Sequence, residues 1–437
     1  MSLQFRVEWM EAPGVRHAGE AATWARLSID VGGRPLSLED DKRKAIRDGF
    51  YGSLLPLVEW LVDSWPRLLH ERREAPPGDE TWKREWRYFH CFRAARRGGA
   101  MPDLCLRRHD ERTLVAAASA DRALSPGMSV RFLRDVTEQI DATDAEAQLG
   151  QLIDATLQQL EPIDPDHARD LSSRWEQSRS ELARVAGVLG ADPSHVAGLG
   201  SPLLQRILGD PDSSIVLAVA EGSTAASLDQ RVEDASKLVA EIPQGAPTTE
   251  RWAQLRGVTY NRRAQPWLTG WDAAGQLRRA IGLGPREAPK DQFPSILEAR
   301  CGWPAAQQVY HPATFVTGMD TVHVQRRSEA PLVVTMVKTQ PGVRFRLARC
   351  LFYFLFKRAA DGQAAVGDSP LLPELSEANA FAAELLAPAE ALRGMIPDDG
   401  VWTKRQLSAA AHELRVSPMV VRHQVRNRHL GVDLDLT

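Results

Sequence analysis

The chain has 437 residues, more than one ordinary core of about 100 to 200 residues accommodates, so two or three domains are expected. Its 43% hydrophobic and 25% charged residues exclude disordered, collagenous and membrane-embedded classes. A net charge of -3 provides no global pull toward nucleic acid or an acidic membrane, so any such attraction must be local.

Met1 to Glu11 mixes charges into an alternating pattern without an apolar core, so no secretory signal is expected. Cys91, Cys105, Cys301 and Cys350 show no C-x-x-C spacing and read as reduced, buried thiols of a cytoplasmic protein. Residues 3 to 9 and 27 to 31 have strand character, with a turn at Gly32-Gly33. From Asp41 to Glu71 the pattern is helical, with Ile46, Phe50, Leu54, Leu57, Val58, Leu61 and Trp65 along one face. Trp82 to Arg97 interleaves aromatic and basic side chains that nucleic acid would suit, but Trp82, Trp86 and Phe89 share a face and read as a core stripe. His70-Glu71-Arg72-Arg73-Glu74 lacks a second His one turn on, so it is assigned no metal. Strand-like pieces follow at 104 to 106, 113 to 118 and 129 to 133, completing an N-terminal α+β unit.

Asp144 to Leu160 is the clearest amphipathic helix, with Ala145, Leu149, Leu152, Ile153, Thr156, Leu157 and Leu160 on one stripe. Residues 134 to 170 carry ten acidic and two basic side chains and read as a solvated face. Residues 171 to 300 are predicted largely helical, including a mild helix-turn-helix pattern over 181 to 196. Beyond Pro304, Thr314 to Val316, Thr321 to Gln325 and Leu332 to Val337 predict a small sheet. Two helices come next, with a predicted loop from Asp361 to Pro373 between them. The longest apolar run, Leu347 to Phe356, is about half the roughly 20 residues a membrane-spanning helix needs.

The residues Arg344-Phe345-Arg346-Leu347-Ala348-Arg349-Cys350-Leu351-Phe352-Tyr353 resemble the first active-site helix of the ImmA/IrrE metallopeptidases, R-F-T-L-A-H-E-L-G-H. Glu377 to Pro388 resembles that family's third-ligand helix, and Gln265 to Gly284 the helix leading into its peptidase domain. The resemblance spans about residues 265 to 430 and implies a gluzincin-like fold, in which two His, a Glu base and a Glu ligand bind and use zinc. It implies an active site here that is vestigial. Arg349, Cys350 and Tyr353 stand where His, Glu and His would be, and only Glu377 matches a ligand. A catalytic zinc needs about three protein ligands, and a fixed guanidinium repels it. No metal, no cofactor and no catalytic residue is therefore expected, and Arg349 is expected either to pair with Glu377 in the metal's place or to reach solvent past the helix end.

Lys404 to Leu430 has the spacing of two short helices around Val416-Ser417-Pro418. Arg422, Arg426 and Arg428 on or after the second helix are candidates for DNA contact. The resemblance implies a helix pair that closes the family's domain by packing on it, and that structural role is expected ahead of DNA contact. The expected architecture is α+β and mostly helical. It comprises an N-terminal domain over 1–140, a helical middle over 141–264 and a gluzincin-like domain over 265–437 ending in the helix-turn-helix-like pair.

The expected function is that of a non-catalytic ImmA/IrrE-like component that binds a protein partner in phage defence, mobile-element or stress regulation. An enzyme with an unconventional or N-terminal active site and a DNA-binding regulator are the alternatives.

Overall fold

The strongest apolar patterns of the sequence gather into two separate cores. The computed structural model describes residues 1–12, 14–15, 17–40, 45–73, 79–95, 100–110, 112–122, 130–209, 212–223, 227–243, 258–261, 265–303, 308–313, 315–316, 319–326, 329–356, 364–367 and 374–433. The chain is α+β with small sheets, and it divides into two units, Met1–Gly200 and Ser201–Thr437. None of the described helices is long and apolar enough to cross a membrane.

In the first unit, β1 (Leu3–Trp9) is followed by α1 (Ala18–Ala22), β2 (Trp24–Val31), β3 (Arg34–Pro35), β4 (Leu38–Asp40), β5 (Ala45–Arg47) and β6 (Phe50–Ser53). β1, β3 and β6 all pair antiparallel with β2. After α2 (Leu55–His70) and α3 (Glu80–His90), β7 (Asp103–Asp110), β8 (Thr113–Ser119) and β10 (Val136–Asp141) form a second antiparallel sheet in the order β10-β8-β7. β9 (Val130–Phe132) joins β5 and β4 in a third. Four helices close the unit: α4 (Ala142–Leu160), α5 (Pro165–Ser178), α6 (Glu181–Leu189) and α7 (Pro193–Ala197).

The predicted stripe of α4 is the face it buries, and Asp141 caps its first turn by accepting from the amides of Thr143 and Asp144. The helix predicted from Asp41 is corrected: 41–44 lie outside the described residues, Ala45–Arg47 and Phe50–Ser53 are strands, and the helix begins at Leu55-Pro56. Proline supplies the helical φ of a first turn without needing an amide partner, whereas Gly49 and Gly52 weaken any helix upstream. Ile46, expected on the buried face, is 72% exposed.

In the second unit, α8 (Ser201–Leu208), α9 (Ser213–Gly222), α10 (Leu228–Glu241), α11 (Pro266–Ala280) and α12 (Phe293–Ile296) precede a four-stranded sheet. That sheet runs β11 (Val309–Tyr310), β13 (Leu332–Thr335), β12 (Thr321–Gln325), β14 (Ala364–Gly367) across its width. Its first strand lies at Val309–Tyr310 and not at the predicted Thr314 to Val316, of which Phe315 and Val316 are irregular and Thr314 lies outside the described residues. β14 occupies part of the predicted 361 to 373 loop, because pairing with β12 overrides the weak strand propensity of two alanines and a glycine.

α13 (Gln340–Phe356) and α14 (Glu374–Leu386) are the two helices the sequence predicts around that loop. Then come α15 (Ala389–Arg393), α16 (Lys404–Leu414) and α17 (Pro418–Asn427), with β15 (Val401–Trp402) and β16 (Val432–Asp433) pairing in parallel.

Candidate functional site

α13 is apolar nearly all round, and Leu347, Ala348, Cys350, Leu351, Phe352 and Tyr353 are all buried in the core of the second unit. Each large side chain among them stabilises the fold by ~1.5–3 kcal/mol. α14 contributes Ala378, Phe381, Ala382, Leu385 and Leu386 to the same core, and Phe352 packs on Phe381 with ring centroids 5.4 Å apart. Gly270 of α11 lets α14 come close: a Cβ there would run into the carbonyl oxygen of Glu377.

Four residues stand at the positions the sequence singled out. Arg349 and Tyr353, one turn apart on α13, are 2% and 4% exposed, and Glu377 on α14 is 1% exposed. Arg349 donates to Asn379 Oδ1 at 3.2 Å, and its guanidinium lies 5.6 Å from the Phe345 ring centroid. The Glu377 carboxylate accepts from the Tyr260 hydroxyl at 2.6 Å. Cys350 is buried in the core of the second unit, and burial pushes its thiol well above the ordinary range, against the weaker opposing influence of Arg349. A thiol kept protonated is neither a nucleophile nor a metal ligand.

Sequence reasoning missed Tyr260, Asn379 and His323. The His323 ring lies against Tyr353 with centroids 5.1 Å apart, so this histidine from β12 joins the cluster on α13. Its signal was legible only as alternation: Thr321, His323 and Gln325 are the polar members of an otherwise β-branched strand. Burial, then Arg349 and Arg346, hold the His323 imidazole neutral far below its usual range.

The C-terminal pair has the predicted form. α16 opens with a capping box between Thr403 and Gln406, and α17 with Ser417 as its cap. Between them Arg415 takes a left-handed conformation, φ 57°. Val420, Val421, Gln424 and Val425 face inward. Of the three candidate DNA contacts, Arg428 is committed to the protein's own packing. It bonds Glu384 on α14 at 2.8 Å and stacks 3.6 Å over the Trp271 ring. Gln424 donates to the same carboxylate and to the Ala387 carbonyl, each at 2.9 Å. Arg426 points to solvent and Arg422 is half-buried.

In the first unit, the segment denied a metal is instead an ionic cluster. Glu71 is fully buried and accepts from Arg67 Nε at 2.7 Å, with His90 Nε2 at 3.2 Å. The other His90 nitrogen faces the Leu106 carbonyl at 3.0 Å, and the Trp86 ring stacks on the imidazole at 4.3 Å. Burial works against the Glu71 charge, but His90 and Arg67 outweigh it and bring the carboxyl down to about 2. Phe89 lies 4.1 Å under Arg67, Trp82 meets Arg73 and Trp86 meets His90, so the aromatic stripe of α3 is half-buried against polar side chains and is not the core stripe its spacing predicts.

The expectation of four reduced thiols is corrected. An antiparallel bridge sets Cys91 and Cys105 side by side, Cα atoms 4.0 Å apart, and the two form a disulfide, while Cys301 and Cys350 are free and buried. Sequence spacing could not reveal this, because the pairing depends on α3 ending beside β7. Among the described residues, Cys91, Asp103 and Cys105 are the group whose donor atoms cluster within metal-binding reach. The disulfide leaves that group no thiolate. No family model, no curated protein and no solved structure matches this chain.

Proposed function

We propose that the chain is a non-catalytic, ImmA/IrrE-like protein that acts in the cytoplasm as a binding or regulatory component of phage defence, mobile-element control or stress response. The observation that carries this reading is the burial of Arg349, Cys350 and Tyr353 on α13 and of Glu377 on α14. A guanidinium and a phenol one turn apart on α13, with a protonated thiol beside the first, occupy the ligand and base positions of the resembling motif, while Glu377 is retained and buried on α14. A single carboxylate does not hold a catalytic zinc, and Arg349 repels one. The order of a small sheet, a buried helix and a Glu-bearing helix is the one the resemblance implies. Recognition of a protein partner is then the role left to the domain. Engagement of Arg428 by Glu384 and Trp271 favours packing over DNA reading for the C-terminal pair.

Metal analysis of the purified full chain tests the reading. Zinc far below one equivalent is expected for the native chain, and the variant R349H/C350E/Y353H, which rebuilds the motif around Glu377, is expected to take up zinc. Stoichiometric zinc in the native chain would overturn the proposal. Blocking free thiols in intact cells before lysis tests the compartment. Protection of Cys91 and Cys105 from the label would show that the disulfide of the structure is formed in the cell and would overturn the cytoplasmic placement, whereas labelling of both would support it.

A further inference from the structure

β1 is the outer strand of its sheet: β2 pairs with it on one side and with β3 and β6 on the other. The phase of the ladder shows which backbone groups β1 commits to β2. The Gly32 amide donates to the Ser2 carbonyl at 2.8 Å and the Met10 amide to the Trp24 carbonyl at 3.0 Å, so these opposed residues are hydrogen-bonded pairs, and the even-numbered residues between Ser2 and Met10 face β2 as well. Leu3, Phe5, Val7 and Trp9 therefore turn their amides and carbonyls away from β2. Leu3 is fully buried, whereas Phe5, Val7 and Trp9 are half-buried, and among the described residues no hydrogen-bond partner meets their backbone groups. An open row of such groups is a template for another strand.

The side chains decide which strand fits. The opposite face of β1 carries Arg6, which is exposed and forms no ion pair among the described residues, and Glu8, whose side chain stays 67% exposed beside Arg26. A two-fold axis pairs an edge strand with its own copy, and each choice of centre sets different neighbours. Centring on Arg6 or on Glu8 puts like charges face to face, and centring on Phe5 leaves Arg6 opposite Gln4 and Glu8 opposite Ser2. Centring on Val7 sets Arg6 opposite Glu8 of the second copy, and the reverse, in non-hydrogen-bonded pairs, where side chains approach most closely. It also sets Phe5 opposite Trp9 on the other face, an aromatic cross-strand pair. We propose that β1 is a dimer interface: two copies of the chain join their sheets by antiparallel pairing of β1 about Val7, with reciprocal Arg6–Glu8 contacts fixing the register. This surface belongs to the first unit and is independent of the binding role proposed for the second.

Sedimentation velocity of the full chain from about 1 to about 300 µM tests the proposal. The native mass is expected to shift reversibly from one chain to two, and hydrogen exchange in a peptide covering β1 should slow in the dimer. Arg6→Glu and Glu8→Arg each place like charges at both contacts, so each should weaken dimerisation at least ~10-fold. Glu8→Arg also sets two guanidiniums opposite each other across β1 and β2, because Glu8 pairs with Arg26 in the sheet. The equimolar mixture of the two variants separates that local effect from the interface. In the mixture every carboxylate of one variant faces a guanidinium of the other, so native-like association should return.

A native chain that stays monomeric at about 300 µM would overturn the proposal and leave the edge to a strand of a different protein. A dimer that both variants retain would overturn it by placing the contact on another surface. A mixture no more associated than its components would overturn it as well.

Discussion

Replacing Glu71 by glutamine removes the one negative charge at the centre of the Arg67–Glu71–His90 cluster while keeping the shape of the side chain. Two arguments size the effect. The carboxyl is held at about 2 instead of its usual 4.5, and 1.36 kcal/mol per unit makes the ionised form worth ~3 kcal/mol to the fold. Breaking a buried ion pair by removing one partner costs ~3–5 kcal/mol, and the low end applies because Arg67 keeps its bond to Glu85 at 2.8 Å. Hydrogen exchange by mass spectrometry, read on peptides from α2 and β7 of the intact chain, should show a loss of ~3 kcal/mol at pH 7.

The pH dependence has a definite sign. Because the folded-state value lies below the unfolded one, the Glu71 contribution is complete above pH ~4.5 and fades as pH falls toward 2. The native chain should therefore approach the E71Q variant over that window. A deficit below ~1 kcal/mol at pH 7, or one unchanged between pH 7 and pH 3, would refute the reasoning.

Gly270→Val should force α11 and α14 apart at the Glu377 carbonyl, costing ~2–4 kcal/mol by overpacking and lowering the melting temperature of the second unit; a native midpoint would show that the contact relaxes freely. Arg428→Ala should cost ~1–2 kcal/mol in chemical denaturation through loss of the Trp271 stack and the Glu384 pair, and leave any affinity for duplex DNA unchanged. Cys91→Ser with Cys105→Ser should lower stability by up to ~3 kcal/mol relative to the oxidised protein, the value for a loop of this size, and should match native protein treated with reductant. His70, which burial, Arg108 and Arg184 bring down to about 4, resists protonation in the folded state. Unlike the native chain, a His70→Gln variant should lose no stability from this residue as pH falls from 6.5 toward 4.

Local periodicity determined much of this protein. The stripe of α4, the strands at Leu3–Trp9 and Thr113–Ser119, and the closing helix pair all follow from apolar spacing and capping residues, which act over a turn or two of chain. The apolar wrap of α13 announced a buried rod in the same way. What sequence spacing could not supply was anything set by contact between distant segments. The Cys91–Cys105 pair and the Glu71–His90 bond arise where α3 ends beside β7, and β14 exists only because β12 offers it an edge. Arg428 reads as a DNA contact in isolation and becomes a packing residue once α14 and α11 supply a carboxylate and an indole. His323 and Gln325 look like ordinary strand residues until α13 covers their face. Burial removes water from a polar group wherever the chain folds over it, and that choice belongs to the tertiary structure.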